Sequence, residues 1–335
     1  REIRSISQKE LYEVISVFIG GGTPSVLSGE QLCRIMDEIR QAFALSEDAE
    51  ITMEANPGTV SLEQMKLCRK ASINRISLGL QSTVQQELDM LGRIHTYEEF
   101  LQSYQWAREA GFDNINVDLM FAIPGQTCES WKHNLETVAE LSPEHISAYS
   151  LIIEEGTPFA RKKLILPTED EEYQMYEDTA EILRKYGFHQ YEISNYARNG
   201  FECRHNKGYW QRTEYLGAGL GAASLFQGKR FSNTSDMKVY LSDSTDPEKI
   251  REDVTTLSGS NEMEEFMFLG LRMTEGISER QFERNFGCRI EDIYGSVLAK
   301  YKEMDLLEHT GEFWRFTRKG IHVSNPVLAD FLLDE

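Results

Sequence analysis

The sequence predicts an α/β fold, a partial (β/α) barrel followed by a small α+β, winged-helix-like C-terminal domain. Five apolar or alternating stretches are each separated from the next by an amphipathic helical stretch, a pattern that gives parallel strands with right-handed crossovers. Glu54, Gln81 and Asp118 fall toward the carboxyl ends of successive strands, on the face opposite the aliphatic residues. Five such strands fit an open doubly wound sheet or a barrel. In a barrel the three polar side chains point inward around one cavity, at the end where sites form. Beyond Asn261 the pattern changes to short helices and a two-stranded ribbon, which predicts the second fold.

The first element is the apolar run Val17-Phe18-Ile19, which meets Gly20-Gly21-Gly22-Thr23-Pro24-Ser25. Glycine allows main-chain N–H groups to approach a bound carboxylate, amine or phosphate; a tight turn is the other reading. Ser28 and Gln31 form a capping box opening a helix with Leu32, Ile35, Met36, Ile39 and Phe43 at helical spacing. Residues 50–56 alternate Ile51, Met53 and Ala55 against Thr52, Glu54 and Asn56, and a second box at Ser61 and Gln64 starts the next helix. Residues 75–82 alternate again. A box at Thr96 and Glu99 opens a helix that Gly111 stops. Residues 114–121 form the fourth strand, the Pro124-Gly125 turn leads to a helix over 129–141, and 145–153 is the fifth strand.

Residues 154–170, with Gly156, Pro158 and Pro167, read as a connection. A helix over 169–186 follows, expected to pack Tyr173, Tyr176, Ile182, Leu183 and Tyr186 inward, then a strand over 191–197. Residues 216–224 are glycine-rich but lack the GxGxxG spacing of a dinucleotide loop. Helices are expected over 262–273, 278–286 and 290–304, and a ribbon over 306–317 turning near Gly311. The domains are therefore placed at 1–168, 169–260 and 261–335.

Composition narrows the function. The chain of 335 residues has 55 acidic and 35 basic side chains, a net charge of -20. That balance argues against a nucleic-acid partner, including DNA read through the winged helix, because phosphate binding depends on a basic face. No apolar run is long enough for stable membrane insertion and no signal peptide opens the chain, so a cytoplasmic protein is expected. Cys33, Cys68, Cys128, Cys203 and Cys288 have no pair at zinc or iron–sulfur spacing, which fits a reducing compartment.

Taken together, Gly20-Gly21-Gly22-Thr23-Pro24-Ser25, Glu54-Ala55-Asn56-Pro57, residues 75–82, Asn116-Val117-Asp118-Leu119-Met120 and Ile123-Pro124-Gly125-Gln126-Thr127 resemble the radical AdoMet (S-adenosylmethionine) proteins related to oxygen-independent coproporphyrinogen III oxidase. The resemblance is strongest to the haem chaperone branch and covers nearly the whole chain. It implies AdoMet contacts at Gly21, Gly22, Thr23, Glu54, Gln81, Arg93 and Asp118, and more loosely at Ile152 and Ala223. The chemistry is consistent: glycine backbone binds the methionyl amino group, Arg93 suits its carboxylate, and Asp118 accepts from ribose hydroxyls. Arg93 by itself also reads as a solvated surface residue.

The family holds a 4Fe-4S cluster on a CxxxCxxC loop after its first barrel strand. This sequence contains neither that loop nor that strand; its first strand matches the family's second, which suggests a missing N-terminal segment. No metal ligands and no radical chemistry are expected from the residues given. His205-Asn206-Lys207-Gly208-Tyr209-Trp210 matches the HNxxYW motif of the haem chaperone branch. His205, Tyr209 and Trp210 are candidate haem contacts, with Cys203 as an alternative thiolate; the other reading is a structural histidine beside an aromatic cluster. The resemblance thus implies a haem chaperone that passes haem to acceptor proteins, with a second copy of the chain as a further candidate partner. The alternative is the oxidase itself, in which a 5'-deoxyadenosyl radical abstracts hydrogen from the propionate side chains of coproporphyrinogen III.

Overall fold

The computed structural model describes residues 1–7, 12–156, 159–162 and 164–333. Pro158, expected in the connection after the barrel, lies outside them. The chain forms two compact units, one of residues 15–37 and 46–203 and the other of residues 1–14, 38–45 and 204–335.

The first unit carries most of a seven-stranded sheet. Its strands are β1 (Glu13–Ile19), β2 (Ala44–Ala55), β3 (Arg75–Gln81), β4 (Ile115–Phe121), β5 (His145–Ser150), β6 (His189–Gln190) and β7 (Asn195–Ala197), in the order β1-β2-β3-β4-β5-β7-β6. β2 to β5 are parallel neighbours, and β7 pairs antiparallel with both β5 and β6. Alternation sorts the side chains. Ile76, Leu78, Leu80, Val117, Leu119 and Ile146 are completely buried on one face. The register aligns Glu54 with Ser77, Ser77 with Asn116, and Asn116 with His145, so the opposite face is polar.

The helix starts follow local chemistry. Ser28 and Gln31 exchange side-chain and backbone hydrogen bonds, as do Thr96 and Glu99. At Ser61 only half of the box forms, because Gln64 Nε2 donates instead to the carbonyls of Ser25 and Leu27. That diversion staples the turn after β1 to the helix Leu62–Lys70.

Three readings need correction. Residues 191–197 are not one strand: the chain bends at Ile193 and Ser194, and only Asn195–Ala197 pairs with β5. Tyr173 is exposed: Met175, Asp178, Thr179 and Ile182 set the buried stripe of Glu169–Lys185, and position 173 is out of phase with them. The fifth strand stops at Ser150.

In the second unit the glycine-rich stretch runs into an unanticipated antiparallel sheet of β8 (Ala223–Phe226), β9 (Lys229–Asn233) and β10 (Arg251–Thr256), ordered β10-β9-β8. Helices Gly259–Gly270, Glu279–Phe286 and Ile290–Glu303 then pack with β11 (Ile277–Ser278), β12 (Leu307–Thr310) and β13 (Phe313–Phe316). The expected ribbon is β12–β13, turning at Gly311 with φ +67°, and the two residues of β11 add a third strand beside β13. Phe282, Tyr294, Leu298 and Phe331 fill this core, each buried apolar side chain contributing about 1.5–3 kcal/mol. No helix among the described residues is long and apolar enough to cross a membrane.

Candidate functional site

β1 ends in bare backbone. Gly21 has φ +83°, a conformation that favours glycine, and its N–H donates to Glu54 Oε2 at 3.2 Å. A Cβ on Gly20 would stand 2.8 Å from the carboxyl carbon of Glu54, whereas one on Gly21 or Gly22 would meet nothing within 4 Å. Gly20 is therefore small so that Glu54 can close on it, and the next two residues face open space. Thr23 is fixed through its Oγ1, which accepts from Asn56 Nδ2 at 3.2 Å.

Gln81 ends β3 with φ +73° and is buried. The phenol of Tyr149, on β5, donates to Gln81 Oε1 at 3.4 Å. Burial and then the nearby Asp118 push the Tyr149 pKa up, and Arg93 and Glu54 also act on it electrostatically. Tyr149 thus bonds Gln81 and lies within electrostatic reach of Asp118, Arg93 and Glu54. Sequence reasoning missed it, although 145–149 alternates His145, Ser147 and Tyr149 against Ile146 and Ala148.

Asp118 accepts from Asn116 Nδ2 at 2.7 Å through Oδ1 and from Ser77 at 3.0 Å through Oδ2. Burial raises its pKa, while hydrogen bonds from Asn116, Ser77 and Ser147 and the charge of Arg75 hold the rise in check. Glu54 is also raised, by burial and then by repulsion from Asp118. Two carboxylates that resist carrying charge side by side favour a cationic ligand. Ile152 is 76% exposed just past β5. Ala223 belongs to the other unit, exposed at the start of β8.

The donor set fits AdoMet. Open glycine backbone, two carboxylates and Arg93 complement its ammonium, sulfonium, ribose and carboxylate groups. The residues of this chain do not fit an iron–sulfur cluster: among the described residues no three His, Cys, Asp or Glu side chains are grouped to hold a metal.

In the second unit, Arg204–Trp210 is a helix, which puts His205 and Tyr209 one turn apart on one face. His205 Nε2 lies 2.9 Å from the Tyr209 hydroxyl, with the rings edge-to-face at 4.7 Å. Tyr209 packs in turn on Tyr215 at 4.6 Å, and the Arg272 guanidinium lies 5.6 Å from the Trp210 ring centroid. Trp210 Nε1 is buried with no hydrogen-bond partner, the kind of orphan donor that a bound group satisfies. These features fit a porphyrin carrying acidic substituents. Cys203 does not serve as the alternative thiolate: it is fully buried and its thiol donates to Glu50 Oε1 at 3.3 Å.

The Radical SAM superfamily model matches residues 1–138, and the HemN C-terminal domain model matches residues 257–323. The Escherichia coli coproporphyrinogen III oxidase (HemN), a radical SAM enzyme, superposes with a TM-score of 0.85 over 99% of this chain and 81% of its own, at 22% identity, so the two share a fold. The heme chaperone HemW of Lactococcus lactis is 39% identical over 99% of this chain and 88% of its own length. Those of Bacillus subtilis and Escherichia coli are 37% and 34% identical, over 98% and 96% of this chain. With relatives this similar over nearly its whole length, the chain belongs to the HemW family of heme chaperones.

Proposed function

We propose that this protein binds haem and delivers it to acceptor proteins, using a radical SAM scaffold whose barrel pocket seats AdoMet. The observation that carries the reading is near full-length similarity to proteins named heme chaperones. The helix Arg204–Trp210 supports it, because His205, Tyr209 and the orphan Trp210 Nε1 supply an imidazole, an aromatic face and a buried donor within one segment. His205 would coordinate the iron or lie beside the porphyrin once its bond to Tyr209 opens.

In the barrel, Gly21 and Gly22 would hold the methionyl amino group of AdoMet, Arg93 its carboxylate and Asp118 its ribose, with Gln81 and Tyr149 setting the wall. Ile152 is a looser proposed AdoMet contact. The composition-based division at 168 and 260 is kept as a proposal for the boundaries of the barrel, its extension and the C-terminal domain.

Haem titration of the full protein, followed by Soret absorbance, tests the function, with coproporphyrinogen III conversion measured on the same sample. Stoichiometric binding without conversion is expected. Conversion without haem binding would make the protein an oxidase instead. His205→Ala should weaken binding and shift the Soret band; an unchanged band and affinity would remove His205 as a ligand.

A further inference from the structure

Behind Asp118 the barrel interior holds a continuous run of hydrogen bonds. The Cys203 N–H donates to the Tyr191 hydroxyl at 3.3 Å, which lies 2.8 Å from His145 Nε2. His145 Nδ1 lies 2.6 Å from Asn116 Oδ1, and Asn116 Nδ2 donates to Asp118 Oδ1 at 2.7 Å. The same Nδ2 donates to Ser77 Oγ at 2.7 Å, and that hydroxyl donates to Asp118 Oδ2 at 3.0 Å. Ser147 donates to Asn116 Oδ1 at 3.2 Å. Asn116, His145 and Tyr191 are all buried.

The chemistry of the groups fixes the direction of every bond. An ionised carboxylate only accepts, so Asn116 must turn its amide nitrogen toward Asp118 and its carbonyl toward His145. His145 is then the Nδ1–H tautomer. Burial and then Arg75 hold its pKa well below 6.5, so it is neutral at neutral pH and its bare Nε2 accepts the Tyr191 proton. Tyr191 can in turn accept from Cys203. All the donors point toward Asp118, and the run ends on its carboxylate.

With the Ser147 proton given to Asn116 Oδ1, each Asp118 oxygen takes one hydrogen bond from the barrel interior, Oδ1 from Asn116 and Oδ2 from Ser77, and keeps about one more acceptor position. Two oxygens, each with an acceptor left, match the vicinal diol of a ribose. Desolvating this many polar groups is costly compared with an apolar core, so an apolar interior would serve the fold equally well.

We infer that Asn116, His145 and Tyr191 are positioning residues for AdoMet, which hold the Asp118 carboxylate ionised and oriented to accept both ribose hydroxyls. The inference rests on the reading of Asp118 as the ribose acceptor. None of the three need touch the ligand. The charged and titratable groups facing Asp118 are Glu54 on β2, Arg75 on β3, and His145 and Tyr149 on β5. Only Arg75 among them opposes protonation by charge, so losing the donors lets Asp118 protonate at higher pH. AdoMet affinity should then fail earlier on acidification.

The test is AdoMet binding to the full protein by equilibrium dialysis, from neutral to mildly acidic pH, for wild type, Asp118→Ala, Asn116→Leu, His145→Leu, His145→Asn and Tyr191→Phe. Asn116→Leu and His145→Leu should weaken binding roughly tenfold and move its acid limb upward. Tyr191→Phe, which removes one oxygen three hydrogen bonds away from Asp118, should do the same by about threefold. His145→Asn keeps a donor against the Asn116 carbonyl and should stay within about twofold of wild type. Wild-type affinity and acid limb in Tyr191→Phe, or in a folded His145→Leu, would overturn the inference, as would weakening that is equal at every pH. Wild-type binding by Asp118→Ala would instead overturn the ribose reading itself. Tyr191→Phe keeps the test decisive if a leucine variant fails to fold.

Discussion

The amide of Gly21 donates to Glu54 Oε2 at 3.2 Å, so the loop after the first barrel strand is tied to the carboxyl end of the second. The tie needs Gly20 as well as Gly21, because a Cβ on Gly20 would meet both Phe18 and the Glu54 carboxylate at under 3 Å.

Gly20→Ala and Gly21→Ala should therefore fail differently. In Gly20→Ala the crowded atoms are side-chain ends, so relief comes from displacing Glu54 and the loss appears in AdoMet affinity with little change in Tm. In Gly21→Ala nothing is crowded, but φ +83° strains a residue with a side chain, costing about 1–2 kcal/mol. Thermal melts and AdoMet titration of the two variants separate these effects. Equal losses of Tm would contradict the assignment.

These contrasts mark what local patterning can carry. Alternation placed Glu54 and Asp118 on one face because each strand reports its own two faces, whereas a register shift after Leu78 sets Gln81 opposite Leu119, and the boxes at Ser28 and Thr96 marked helix starts because capping is local. Asn116 and His145 sat in the same alternating runs. Their meaning depends on register across β3, β4 and β5, which no single segment encodes. Tyr191 sits among β-branched and aromatic neighbours that mimic a strand, whereas its hydroxyl is drawn inward to His145. Likewise β8, β9 and β10 pair across distant segments, and the glycine pattern before them gave no sign of the sheet.

Stability should fall on mild acidification. Burial lowers the pKa of His145 and of His95 below 6.5, so below that pH the unfolded chain takes up protons that the folded chain refuses. The stabilising contribution is present above pH 6.5 and is lost as pH falls toward the folded values, by up to about 1.4 kcal/mol per pH unit for each histidine. Glu54 and Asp118, both raised, work the other way and favour the fold as pH drops through their own values. Urea unfolding across this range should show the decline, and His145→Asn should flatten it. A slope in His145→Asn identical to that of the wild type would rule His145 out as a source of the decline.

The second unit has its own charge clamp. Glu265 is buried and accepts from Arg212 Nε at 2.9 Å and from Arg230 Nε. Glu265→Gln leaves two guanidiniums facing a neutral amide and should cost about 2–3 kcal/mol, discounted from the fully buried case because Arg230 is 35% exposed. Chemical denaturation should show the loss while leaving AdoMet binding to the barrel unchanged. Wild-type stability would mean that solvent already screens the pair.

Thiol chemistry offers a check on the interior independent of any ligand. Cys68 and Cys203 are completely buried, and burial, then the neighbouring Cys33, pushes the Cys68 pKa up to about 12. Cys203 also donates its proton to Glu50. The attacking species in alkylation is the thiolate, so both should resist iodoacetamide in the native protein, whereas the partly exposed Cys33, Cys128 and Cys288 should label. Burial raises the Cys128 pKa as well, so Cys128 should label slowly and faster with rising pH. Peptide mass spectrometry before and after denaturation reads each site. Early native labelling of Cys203 would show that the interior around Tyr191 and His145 opens to solvent, and the hydrogen bonds behind Asp118 would then be too transient to orient it.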